Sequence, residues 1–376
     1  MKVAITGDLF LGGDLSTKSG IIRLTEFDGA DLRIVNLEQA VSDRAKLEPK
    51  CTVYTGSEQL HLLKEWKVDV AALAHNHIHD KGSEGICDTL RHLDECGIAH
   101  VGVGNNAAEA ECPHWLTENL ALFNYCDFAR KTLTNIQVAD REAPGVHPLR
   151  QEQIESDLSR LKSGQQAVLF FHWGVEHLWM PPPENMALAR SLLEDERVAL
   201  IVGSHPHRAQ GCLRVGNKRA YFCLGNFLFP NFYIEPPAQI TVPESEPSKV
   251  ALTRRYHAVW DLTYKKWKLA NRISLLVIFD SESGTAAHEF AVQSDDEPTV
   301  SQLRGIAKLV ATARFHFLSS VVYRLPEPLY RRVYRIHLRS TYFFWALGIR
   351  RFQLRQRGLR AMVRAALGRL RSKAGC

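Results

Sequence analysis

Asp8, Glu38, Asn76, His172, His205 and His207 are the side-chain types from which a divalent-metal centre is built. Two divalent ions held ~3.5–4 Å apart activate a water and clamp the transition state of phosphoryl transfer, and holding them takes carboxylates, an amide oxygen and imidazoles together. Taken singly, each residue has a more ordinary use. A lone aspartate caps a helix, a lone asparagine makes a turn, and a lone histidine sits satisfied in a core. Placement sets these apart, because each follows an apolar run. Val3-Ala4-Ile5-Thr6 leads to Gly7-Asp8, LRIVNL (32–37) to Glu38, VDVAALA (68–74) to His75-Asn76-His77, AVLFF (167–171) to His172, and VALIVG (198–203) to Ser204-His205-Pro206-His207.

Such runs read as strands buried on both faces, which leave no room for polar groups except beyond their ends, where ligand sites of open α/β sheets gather. Between them lie helix-like stretches. In GSEGICDTLRHLDECG (82–97), Ile86, Leu90, Leu93 and Cys96 keep helical spacing and Gly97 is a stop signal. IAHVGVG (98–104) and LALFNYCDF (120–128) read as further strands, and AYFCL (220–224) as one leading into Gly225-Asn226-Phe227. Strands alternating with helices give the α/β class. RRYHAVWDLTY (254–264) and RISLLVIFD (272–280) are β-rich, and the acidic 280–298 stretch reads as an edge and a linker.

The net charge of +6 conceals a division: residues 301–376 hold 17 Lys/Arg and one acid, Glu327, leaving 30 basic and 40 acidic residues in 1–300. An acidic body thus carries a basic extension, which is helical in pattern. In LRAMVRAALGRL, Leu359, Met362, Val363, Ala366, Leu367 and Leu370 make an apolar stripe among arginines. The scattered cysteines, without a CxxC pair, suit reduced thiols and give no structural zinc site. No run of ~18–20 apolar residues occurs, and MKVAITGD enters a strand directly. The expectation is a cytoplasmic protein, peripheral at the inner face of the membrane if the extension engages lipid.

In order along the chain, Gly-Asp (7–8), Asn-Leu-Glu (36–38), Asn-His (76–77), His-Trp-Gly-Val-Glu (172–176), Gly-Ser-His-Pro-His (203–207) and Leu-Gly-Asn-Phe (224–227) resemble the CapA family, the poly-γ-glutamate capsule biosynthesis type of protein. That family is similar to the calcineurin-like metallophosphoesterases. The resemblance spans about residues 1–230 and leaves out the extension. It implies a metallophosphatase-like four-layer α-β-β-α sandwich over 1–300, followed by a helical basic extension over 301–376. It also implies one metal on Asp8 and His207, a second on Asn76, His172 and His205, and Glu38 bridging both. His77 takes the place of the general acid, and Asp80 that of a residue orienting a histidine. Glu176 and Asn226 fall at the rim or behind the ligands. Phe10 stands where the classical superfamily has a histidine, the bridge is a glutamate rather than an aspartate, and Ser204 replaces a further histidine. One ion or two, of manganese, iron or zinc, fit such a set.

The function this implies is metal-dependent hydrolysis, most simply of a phosphoester, in the making or export of an extracellular anionic polymer. The competing reading is a non-catalytic component that binds metal, polymer or a membrane-bound synthase partner. The basic extension has three readings: docking to an anionic membrane surface, binding of a polyanion, or folding back on the acidic body. Nucleic acid is the least favoured polyanion, since no reading motif accompanies the charge.

Overall fold

The apolar runs that precede the candidate residues form strands. The computed structural model describes residues 1–16, 20–44, 52–127, 137–234 and 262–373. The strands that build the site are, in chain order, β1 (Lys2–Leu9), β2 (Leu32–Leu37), β3 (Val70–Ala72), β4 (Leu120–Cys126), β5 (Gln166–His172), β6 (Val198–Ser204), β7 (Asn226–Leu228), β8 (Ile273–Asp280) and β9 (Thr285–Gln293). The helices used below are α1 (Gly82–Glu95), α2 (Gln151–Ser159), α3 (Pro183–Glu194), α4 (Gly305–Ser320) and α5 (Glu327–Lys373).

One sheet runs β9-β8-β1-β2-β3, with β1, β2, β3 and β7 parallel and β8 antiparallel to β1; Ala99–Val101 extends it past β3, and Thr299–Gln302 and Ile21–Arg23 extend it past β9. The second sheet centres on parallel β4, β5 and β6. Alternation along each strand assigns its two faces. Val3, Ile5, Ile34, Val70 and Val277 from the first sheet meet Leu122, Val168, Phe170, Leu200 and Val202 from the second in one apolar layer. The opposite face of the first sheet, with Ala4, Val35, Ala71 and Leu276, packs on Leu62 and Leu63 of the short helix His61–Glu65 and on Ile86, Leu90 and Leu93 of α1. On the outer side of the second sheet, α3 packs on β6, and Asp157 of α2 accepts the Tyr125 hydroxyl of β4 at 2.8 Å. The layers are therefore α-β-β-α. Removing a side chain from the shared middle layer, as in Phe170→Ala, costs about 3–5 kcal/mol.

Helix α1 ends where its glycine stop predicts: Gly97 has φ +68°, which a residue with a Cβ adopts only under strain. The reading of 280–298 as an edge and a linker is corrected. Residues 285–293 form β9, an interior strand flanked by β8 and Thr299–Gln302. Ala286, Phe290 and Ala291 bury enough apolar surface to hold it there, and of the acidic residues only Glu289 lies within the strand. Asp280 Oδ1, at the first turn, accepts the N–H groups of Glu282 and Ser283.

The compact unit runs from Met1 to Pro326 and a second from Glu327 to Cys376, so the boundary lies later than residue 300. Helix α4 belongs to the first unit through buried Ala311, Phe315 and Leu318. The second unit contains the long helix α5. Residues 254–261 of the β-rich stretch and the side chains of the stripe read at Leu359–Leu370 lie outside those described. No described helix is long and apolar enough to cross a membrane.

Candidate metal centre

The six residues singled out in the sequence meet at the carboxyl ends of the parallel strands, where the two sheets face each other. Asp8 is delivered by an irregularity in β1, whose register with β2 shifts between Ile5 and Asp8 and with β7 between Asp8 and Leu9. Such a bulge re-aims a side chain that regular pleating would point elsewhere. Gly7 is required just before it, because a Cβ there would sit 1.9 Å from the Gly225 carbonyl oxygen. His205 and His207 leave β6 with φ +92° and +53°, left-handed conformations that cost of the order of 1–3 kcal/mol each in non-glycine residues. Pro206 between them stiffens the turn.

Asp8, Glu38, His172 and His205 are buried, and Asn76 and His207 nearly so. They fall into two groups that share Glu38: Asp8–Glu38–His207 and Glu38–His172–His205, each with ligand atoms within 4.8 Å of one another. In the first, His207 Nδ1 lies 3.0 Å from Asp8 Oδ2, 3.8 Å from Glu38 Oε2 and 2.8 Å from Asn226 Oδ1. In the second, His172 Nε2 lies 2.9 Å from Asn76 Oδ1 and 3.9 Å from Glu38 Oε1. Both carboxylate oxygens of Glu38 and Nδ1 of His205 are buried without a hydrogen-bond partner. Buried polar atoms are nearly always satisfied, so converging acceptors left bare fit a cation.

The electrostatics favour the same fit. Burial, followed by the nearby charge of Asp8, pushes the Glu38 carboxyl well above its usual range. Burial also drives His172 well below the ordinary imidazole value, with His205, His75, His207 and His77 adding to the effect. His205 is lowered to about 4, again by burial first, against the pull of Glu176. Neutral imidazoles offer lone pairs, and a divalent ion would offset the crowded carboxylates.

His77 and Asp80 stand beside this centre: His77 Nδ1 is 2.7 Å from Asp80 Oδ2, which also accepts the Val53 N–H at 2.6 Å. His75, which precedes Asn76 in the chain, is fully buried with its ring 5.9 Å from His172. Glu176, next in chain to His177, has a side chain 38 % exposed at the rim. Asn226 lies against His207. Of the tryptophans after β5, Trp173 is buried and donates to the Phe222 carbonyl at 2.8 Å, whereas Trp179 is half-buried.

Some residues around the centre were given no role from the sequence. Asn36 Nδ2 donates to Asp8 Oδ1 at 2.9 Å; the signal available was a polar residue inside an apolar strand. Asn271 Nδ2 donates to the His207 carbonyl at 3.0 Å, and Trp267 packs 5.5 Å from the His207 ring, both from a segment with no strand-end signature. His177 lies 6.1 Å from His207, and burial lowers it to about 3.

The sequence matches the family described as "Bacterial capsule synthesis protein PGA_cap" over residues 5–231. The chain belongs to this family. The PGA_cap match contains all of the residues gathered at the centre except those contributed after β7. Related chains include the "Capsule biosynthesis protein CapA" of Bacillus anthracis, 28 % identical over 177 residues, covering 46 % of this chain and 43 % of that protein. The "PGA biosynthesis protein CapA" of Bacillus subtilis (strain 168) is 26 % identical over 211 residues, 54 % of each. A "Probable polyglutamine synthesis accessory protein" of Mycobacterium tuberculosis is 26 % identical over 200 residues, 50 % of this chain and 52 % of that one. The chain spans about half the length of the curated relatives it matches. Among solved structures, TT1561 of Thermus thermophilus aligns over 76 % of this chain and 97 % of its own, with TM-score 0.37 and 11 % identity, a likeness too weak to bear on fold or function.

Proposed function

We propose that this PGA_cap protein is a divalent-metal-dependent hydrolase, acting on a phosphoester in the making or export of an extracellular anionic polymer. The observation that carries the reading is Glu38, whose two buried, unpartnered oxygens each face one group of ligands. In this reading Asp8, His207 and Glu38 hold one ion, and Asn76, His172, His205 and Glu38 a second. Bound there, manganese, iron or zinc would supply Lewis acidity and lower the pKa of a water. The protein's own residues do the rest. His77, held by Asp80, delivers a proton to the leaving oxygen, while Asn36 and Ser204 fix Asp8 and His172 in place. The anionic-polymer context is supported by family membership and by the names of the relatives.

The test is elemental analysis of purified protein beside Asp8→Ala and His172→Ala, followed by turnover of aryl phosphate mono- and diesters. Metal that falls in both variants, with turnover in the wild type, supports the hydrolase. Metal without turnover on any ester favours a non-catalytic component of polymer synthesis. Protein that takes up none of the three metals ends the metal reading.

A further inference from the structure

We propose that Arg208, Arg314 and Trp179 form a subsite at the rim of the metal centre that takes an oxyanion of the substrate, a carboxylate or a phosphate. This rests on the reading that substrate is processed at the Glu38 centre. The guanidinium carbon of Arg208 lies 4.5 Å from the centre of the Trp179 ring and that of Arg314 3.7 Å from it. Three separate elements meet here: the loop after β5, the loop after β6, and α4. The first two are stitched to the metal centre. Arg208 directly follows His207, the His177 N–H donates to the Pro206 carbonyl at 2.8 Å, and Gln210 Nε2 donates to the Leu178 carbonyl at 2.9 Å.

Several arginines of the body find acids, as Arg44 does with Glu84 and Asp88, Arg91 with Glu95, and Arg197 with Asp195, whereas Arg190 donates to the Tyr323 carbonyl. Arg208 and Arg314 share one ring, and among the described residues no carboxylate pairs with either, although residues 1–300 carry a surplus of acids. The Nε of Arg208 is buried with no hydrogen-bond partner. Two half-buried cations held together without a counter-ion are disfavoured unless an anion joins them. A guanidinium presents a planar fork that matches a carboxylate or phosphate, and stacking on an indole fixes the direction of that fork. A substrate bearing repeated acidic groups would place one here and its reacting bond at the metals.

The test measures binding to the full chain, through quenching of tryptophan fluorescence and calorimetry. The probes are a short γ-linked glutamate oligomer, a short linear polyphosphate and an uncharged γ-linked glutamine oligomer. The expected result is binding of one or both anionic probes, no binding of the neutral one, and a loss of about 10-fold or more in Arg314→Gln with metal content unchanged. Which anionic probe is lost separates a carboxylate site from a phosphate site. Arg314→Lys, which keeps the charge and the packing stem but not the fork, should fall between, and it serves if Arg314→Gln does not fold. Equal affinity in wild type and variants, or equal binding of the neutral oligomer, would overturn the subsite and leave the stack as a brace on α4. Binding is read without turnover. Arginine-dependent binding by a protein inert toward aryl phosphates would retain the subsite and sink the hydrolase; turnover with arginine-independent binding would do the reverse.

Discussion

Nε2 of His172 lies 2.9 Å from Oδ1 of Asn76, across 96 residues of chain, and the contact joins the end of β5 in one sheet to the loop after β3 in the other. The same ring meets the Ser204 hydroxyl at 2.9 Å through Nδ1. A hydroxyl both donates and accepts, so Ser204 can hold Nδ1–H while Nε2 turns its lone pair toward Glu38 and an ion.

Ser204→Ala should therefore weaken metal affinity by about 10–100-fold with the fold intact, since the ring loses the partner that fixes its tautomer. Competition with a fluorescent chelator measures it. Affinity equal to wild type would mean that packing alone orients His172.

Glu38→Gln should act in opposite directions with and without metal. The folded protein holds the Glu38 proton more tightly than the unfolded chain, so stability of the metal-free protein declines as pH rises from the ordinary value of 4.5 through the raised folded value. Glutamine removes that decline. The metal-free variant should melt above metal-free wild type at neutral pH, yet gain little from added manganese, iron or zinc. Thermal melts with and without metal decide it, and an undiminished gain in the variant would remove Glu38 from the ligand set.

His77→Ala should lower turnover of an aryl phosphodiester about 10²–10⁴-fold while metal content stays at the wild-type level. Asp80→Asn should lower it less, because the imidazole remains but loses the carboxylate 2.7 Å away. If either variant sheds its metal, the residue acts through the ligands and not on the proton.

The acid side of the stability profile should contain a contribution far from the metals. His288, on β9, packs with its ring centre 4.4 Å from that of Phe315 of α4, and burial, with help from Arg219, lowers it to about 4. Between that value and the unfolded 6.5, only the unfolded chain takes the proton, so stability is lost as pH falls through this window. At 1.36 kcal/mol per unit the share is at most about 3 kcal/mol. His288→Phe keeps a ring on Phe315 and should flatten that part of the curve. Denaturant titrations at neutral and mildly acidic pH show whether it does.

The positions of Asp8, Glu38, Asn76, His172, His205 and His207 were legible because a strand buried on both faces is a continuous apolar run, and the polar residue that ends it stands out. The layered α/β architecture followed from the same runs alternating with helical spacing. β9 was not legible. Its alanines and single phenylalanine are too weakly apolar to outweigh acidic flanks until β8 and Thr299–Gln302 flank it. Nor could local pattern reveal Asn271 and Trp267 beside His207, because the contacts join segments about sixty residues apart and depend on how β8 returns along β1. The sequence by itself determined which side-chain chemistries stand at the strand ends, since burial forces that pattern on any chain of this class. Tertiary structure alone decided that Asn271 and Trp267 reach His207 and that Arg208 and Arg314 share one indole, because neither is a relation between neighbours in the chain.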